Sequence, residues 1–188
     1  LGLSGFEDSS DEPFREHFAA AEQEGLRRVG HAGEHAGPES IRSVLEVCGV
    51  ERIGHGIRSI DDPGLLTELA AAAIPLEVCP TSNVRLGAVA DMAAHPFDRL
   101  CREKVVVTVN SDDPPLFETD LNGEYLKLAR QFGYGPAELA GFSQQALRVA
   151  FVDGAEREAL EADFSGRLAA LGVTRRGDRF VAVDDLTP

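Results

Sequence analysis

Apolar positions along the chain alternate between two rhythms. Residues 12–25 (EPFREHFAAAEQEG) follow helical spacing and close on Gly25, a helix-ending signal. In the next stretch, LRRVGHAGE, Leu26 and Val29 begin a strand. Residues 38–48 (PESIRSVLEVC) open on Pro38, carry an acid in the first turn, and repeat apolars at Ile41, Val44, Leu45 and Cys48. That pattern predicts a helix. ERIGHG then reads as a brief strand, IDDPGLLTELAAAA as a helix, and IPLEVCP as a strand. TSNVRLGAVADMAAHP has no regular period and reads as a long loop, followed by a helix in PFDRLCREK and a strand in VVVTVN. After Asp113 the pattern is helical to near Gly172, through YLKLARQF, PAELAGFSQQALRVAF and AEREALEADFSGRLAAL. The remainder, residues 173–188, reads as a C-terminal tail to a single unit of residues 1–172.

Strand and helix alternating every 25–30 residues predict an α/β fold with a parallel sheet. Its polar residues fall at successive strand ends: His31 and Glu34, His55, the CPTSN segment, then Asp112 and Asp113. An open sheet concentrates such groups at one switch point, whereas a (β/α)8 barrel collects them around one rim. The barrel is the better fit. Only four to five strands are present, against eight in a barrel of about 250 residues. The chain therefore reads as the C-terminal half of a (β/α)8 TIM barrel followed by C-terminal helices. The remaining strands are expected upstream.

Composition narrows the partners. The 43% of apolar residues suffices for a core and excludes a disordered chain. The formal charge of −14, with no basic cluster larger than an arginine pair, argues against a nucleic-acid partner. No apolar stretch approaches the roughly 18 residues of a membrane span. Cys48, Cys79 and Cys101 are odd in number and lack C-x-x-C spacing, which suits buried thiols in a reducing cytoplasm. A small neutral or cationic substrate fits this balance.

The paired acids after VVVTVN raise a physical question, because adjacent carboxylates at the end of a buried strand repel each other and resist desolvation. A cation at the rim would answer it. Two imidazoles, a glutamate and two aspartates on successive strand ends form a donor set for a divalent ion, zinc first.

Four motifs, HAGE at 31–34, RIGHG at 52–56, EVCPTSN at 77–83 and NSDDP at 110–114, resemble in order and spacing the adenosine/adenine deaminase family of the amidohydrolase superfamily. The resemblance spans roughly residues 1–170 and implies zinc-dependent hydrolytic deamination of an adenine-type purine, adenosine foremost. It implies that His31 and Asp112 are zinc ligands, that Glu34 protonates purine N1, and that His55 orients or deprotonates the attacking water. Asp113 then faces purine N7, and the Gly5 backbone N–H faces N3. The family's H-x-H pair is absent from this chain, so two further histidine ligands are expected from the missing N-terminal part. Phe6 stands where nucleoside deaminases carry an aspartate. His17 is expected to be exposed on its helix and His35 to lie near the rim. Cys79, Ser82 and Asn83 are expected in the pocket wall.

Three alternatives stay open. The substrate is adenine or 6-aminodeoxyfutalosine instead; the enzyme is another amidohydrolase; or the chain is a non-catalytic half-barrel that associates with itself or a partner through its open edges.

Overall fold

Five short strands lie parallel and in chain order, each joined to the next by at least one helix on the same side. The computed structural model describes residues 1–177 and 179–182. Strand β1 is Gly2–Leu3, followed by helix α1 (Arg15–Gln23). β2 (Val29–Ala32), α2 (Pro38–Cys48), β3 (Arg52–His55), α3 (Pro63–Ala72) and β4 (Leu76–Val78) continue the alternation. Then come α4 (Pro80–Arg85), α5 (Phe97–Arg102) and β5 (Val107–Val109). The matches with the expected elements are close, and β1 is a fifth strand that its two-residue length hid. α4 replaces the first part of the expected loop. Pro80 supplies a helix-compatible first residue and the Asn83 N–H closes onto the Cys79 carbonyl at 3.0 Å.

The helices start where local chemistry allows. α2 begins with Pro38 and ends on Gly49 in the left-handed region, and it buries Ile41, Val44 and Cys48. The Asp62 carboxylate caps α3 by accepting from the Gly64 and Leu65 amides. Against these helices the sheet presents Ala32, Ile53, Leu76, Val78 and Val107, which join Ile41, Val44, Leu65, Leu69, Phe97 and Leu100 in one core.

The opposite face is different in kind. Register places His31 beside Gly54, Gly54 beside Glu77, and Glu77 beside Thr108, a polar row across four strands. Gly54 matters within it: a Cβ there would lie 3.2 Å from His31 Cγ. The glycine of R-I-G-H-G makes room for the neighbouring imidazole.

Beyond β5 the chain is helical as expected: α6 (Pro114–Phe117), α7 (Leu121–Phe132), α8 (Pro136–Val149) and α9 (Gly154–Ala170). At the N-terminal end of the strands, the Arg52 guanidinium pairs with Glu77, donates to the Val149 carbonyl, and lies 3.7 Å from the Phe151 ring centre. This contact fastens the end of α8 beneath the sheet. The expected tail starts with an antiparallel hairpin, β6 (Val173–Arg176) and β7 (Arg179–Ala182), packed on α8 and α9. Its last part, residues 183–188, lies outside the described residues. Among the described residues no helix is long and apolar enough to cross a membrane. The architecture is α/β, five parallel strands with helices.

Candidate active site

The strands' C-terminal ends deliver their polar groups to one cavity of about 490 Å³, lined by His31, His55, Glu77, Cys79, Asn110 and Asp112 among others. That volume is within the ordinary range for a small-molecule site. Two of the lining residues, His55 and Asp112, hold left-handed backbone angles, φ 62° and 58°. Non-glycine residues rarely adopt that region, and here it aims two strand-end side chains at the same space.

Glu34 sits in the turn after β2. The Glu7 carboxylate accepts the backbone N–H groups of Glu34, His35 and Ala36, at 3.0, 2.8 and 2.8 Å, while Gly33 donates to Ser40 Oγ. The turn is thereby tied both to the β1 loop and to α2. The Glu34 side chain points inward, is 8% exposed, and accepts a 2.6 Å hydrogen bond from Asn83 Nδ2. His55 is 2% exposed. Its Nδ1 lies 3.2 Å from the same Asn83 Nδ2 and 3.5 Å from Glu34 Oε1. Its Nε2 lies 4.0 Å from Asp112 Oδ2. Burial holds the His55 imidazole below its ordinary value, against the opposing pull of Glu34. The ring is therefore neutral at pH 7.

Asp112 Oδ2 accepts a 2.6 Å bond from the Ser82 hydroxyl, leaving Oδ1 for other use. His31 Nδ1 is 3.1 Å from the Leu3 carbonyl, which can only accept. Nδ1 therefore carries the proton and Nε2 offers its lone pair, the arrangement that orients metal-ligating histidines. Within the described residues, His55, Cys79 and Asp112 have donor atoms mutually within 4.8 Å. Cys79 is the weakest of these, since burial raises its thiol far above the usual range and favours the protonated form. His31 and Asp112 line the same cavity, and an imidazole nitrogen and a carboxylate oxygen are donor types that a divalent ion takes.

Of the six residues singled out in the sequence, the fold gathers Glu34, His55, His31 and Asp112. Gly5 lines a second, smaller cavity with Phe6, Glu7 and His31, so His31 borders both. Asp113 departs from expectation. Its carboxylate accepts from Leu116 N and caps α6, and it does not line the cavity. His17 is exposed on α1, and exposed His35 lies 3.7 Å from Glu34 Oε2. Cys48, Cys79 and Cys101 are unpaired thiols, as expected.

Four residues that sequence reasoning passed over, or gave a smaller part, turn out to organise the site. Asn83 touches Glu34, His55 and His95. His95, within the stretch expected to be a long loop, is 3% exposed. Glu7 grips the Glu34 turn. Glu124 is fully buried on α7 and accepts the Thr81 N–H at 2.9 Å, which pins the start of α4.

The chain matches the adenosine deaminase family over residues 1–165. It is 45% identical over 171 residues to an aminodeoxyfutalosine deaminase of Streptomyces avermitilis, covering 90% of this chain and 48% of that protein. An adenosine deaminase of Serratia proteamaculans is 41% identical over 147 residues, covering 78% and 44%. The crystal structure of an adenine deaminase from Arthrobacter aurescens superposes with a TM-score of 0.85 at 34% identity, covering 89% of this chain and 52% of that one. This chain spans about half the length of the curated relatives it matches. The five-stranded sheet is thus about half of the TIM barrel seen in that deaminase, and the chain belongs to the adenosine deaminase family.

Proposed function

We propose that this chain forms the C-terminal part of the active site of a hydrolytic deaminase acting on an adenine-type purine. The observation that carries the reading is the buried Glu34–Asn83–His55 cluster, whose His55 lines a cavity together with His31 and Asp112. In this reading water oxygen bonds to the ring carbon bearing the amino group, the C–N bond breaks, and the amino group leaves as ammonia with a proton that came from the water. His31 and Asp112, with further ligands from outside this chain, would hold a zinc ion, which would supply the Lewis acidity that makes water nucleophilic at neutral pH. Glu34, shielded from solvent and hydrogen-bonded on one oxygen only, delivers a proton to the ring nitrogen beside the reacting carbon. His55 holds the attacking oxygen by hydrogen bonding. Gly5, which lines the adjoining cavity, meets the far edge of the purine through its N–H. Asp113 meets N7 only by leaving its α6 cap.

The three kinds of relative point to one panel: adenosine, adenine and aminodeoxyfutalosine. Ammonia release from each, measured on the complete protein with zinc, tests the reading. Turnover of at least one, abolished by Glu34→Gln with KM little changed, is the expected result. No turnover of any aminopurine would sink it. A non-catalytic, self-associating half-barrel is the second reading, favoured by β1 and β5 each having only one partner strand among the described residues. Zinc-free, inactive, monodisperse dimers would favour it over the first.

A further inference from the structure

Four hydrogen bonds in the wall of the site form a chain with only one permitted direction. It starts at the Phe97 backbone N–H, which can only donate, and which points at His95 Nδ1 at 3.1 Å. Nδ1 of His95 is therefore bare. Burial pushes the His95 imidazolium down to about 4, so at neutral pH the ring carries one proton, on Nε2. That nitrogen lies 3.2 Å from Asn83 Oδ1, the acceptor end of the amide. The other end, Nδ2, has two protons and two takers: Glu34 Oε1 at 2.6 Å and His55 Nδ1 at 3.2 Å. A flipped amide would set its oxygen against the Glu34 carboxylate and its NH2 against His95 Nε2–H, two repulsive contacts in a buried place.

We propose that His95 and Asn83 are positioning residues that lock His55 with its single proton on Nε2, so that His55 serves the reaction as a hydrogen-bond donor and not as a base. With Nδ1 occupied by an incoming N–H, the neutral ring has no second tautomer open to it. Its Nε2–H faces the side of Asp112 and the cavity. A base at that position would need Nε2 bare and Nδ1 protonated, which the amide NH2 forbids. The same amide fixes one Glu34 oxygen and leaves the other for the substrate. Proton delivery and oxygen binding are thus assigned to different residues by a polarity that originates in one backbone amide. The catalytic meaning of this lock rests on the deaminase reading; the tautomer does not.

Nitrogen-15 NMR of the histidine rings at about pH 8, above the ordinary histidine range, reads the tautomer directly without metal or substrate. In the unsubstituted protein His55 Nδ1 should resonate as an unprotonated nitrogen and Nε2 as a protonated one. Asn83→Asp keeps the shape but replaces the NH2 by an acceptor, and it should invert the two His55 signals. His95→Gln, whose amide can still donate to Asn83, should leave them in place, whereas His95→Phe should mix them. In turnover, Asn83→Asp and His95→Phe should lower kcat by about 10- to 100-fold with KM within about two-fold, and His95→Gln should recover most of the loss. A protonated Nδ1 on His55 in the unsubstituted protein, or an unchanged pattern in folded Asn83→Asp, would overturn the proposal. Loss of deaminase activity by the unsubstituted protein would instead overturn the functional reading, while the spectrum still decides the tautomer.

Discussion

His95 is a titratable residue sealed inside the wall of the site, and that makes stability depend on pH. Its folded value of about 4 is below the ordinary 6.5, so between those values the unfolded chain binds the extra proton and the folded chain does not. Stability is therefore full above about pH 6.5 and falls as pH drops through that window, by about 2 kcal/mol between pH 7 and pH 5. His55, held down by the same cause, adds in the same direction. Urea titrations at the two pH values should show the loss, and His95→Gln should remove most of it. An equal midpoint shift in His95→Gln would contradict this account. At this scale the nearness of His31, Glu34, His55 and Asp112 was legible, because all four stand at or just after strand ends on one rim of the sheet. Asn83 and His95 were harder to see. An amide carries no charge to explain, and burial of a histidine before a proline depends on how residues 86–96 fold back over α4, which no local pattern encodes.

At the scale of elements, α4 and the turn after β2 are too short to hold themselves, and two carboxylates hold them instead. Glu124 reaches from α7 to accept from Thr81 N and pairs with Lys127 and Thr119. Removing it leaves a buried N–H unsatisfied and loosens the segment carrying Ser82 and Asn83. Glu124→Ala should cost roughly 3 kcal/mol in folding free energy and speed amide hydrogen exchange across 80–85 more than across α2. Unchanged exchange there would mean that α4 is held by other contacts. Helices with a cap and an apolar stripe, α2, α3 and α7, were legible from periodicity. α4 was not, since a six-residue helix shows less than two turns of pattern, and its anchor lies 43 residues away.

The whole molecule is an open sheet whose polar face lacks a complete enclosing wall among the described residues. Among the described residues, β1 and β5 each leave one edge of backbone N–H and C=O groups without a strand partner. Leu121 and Leu126 on α7, which packs against β5, are 50% and 52% exposed. Such edges invite pairing. Sedimentation of this 188-residue chain alone should show mass rising with concentration, and a monomeric mass throughout would show that the edges are protected. The half-barrel itself was legible from the count of strands against the number a barrel needs.

The left-handed backbone at His55 and Asp112 carries a longer consequence. Lys104, at φ 62°, bears the same strain at the end of a helix, where glycine would relieve it at no cost to any site. At His55 and Asp112 that relief is closed, because a glycine would erase the side chain that the bend exists to aim. Over many generations, a lineage released from its chemistry should drift toward glycine or asparagine at these two positions before its core changes. On the proposed deaminase reading, histidine and aspartate there work as an evolutionary clock face: while both stand, selection for that reaction persists.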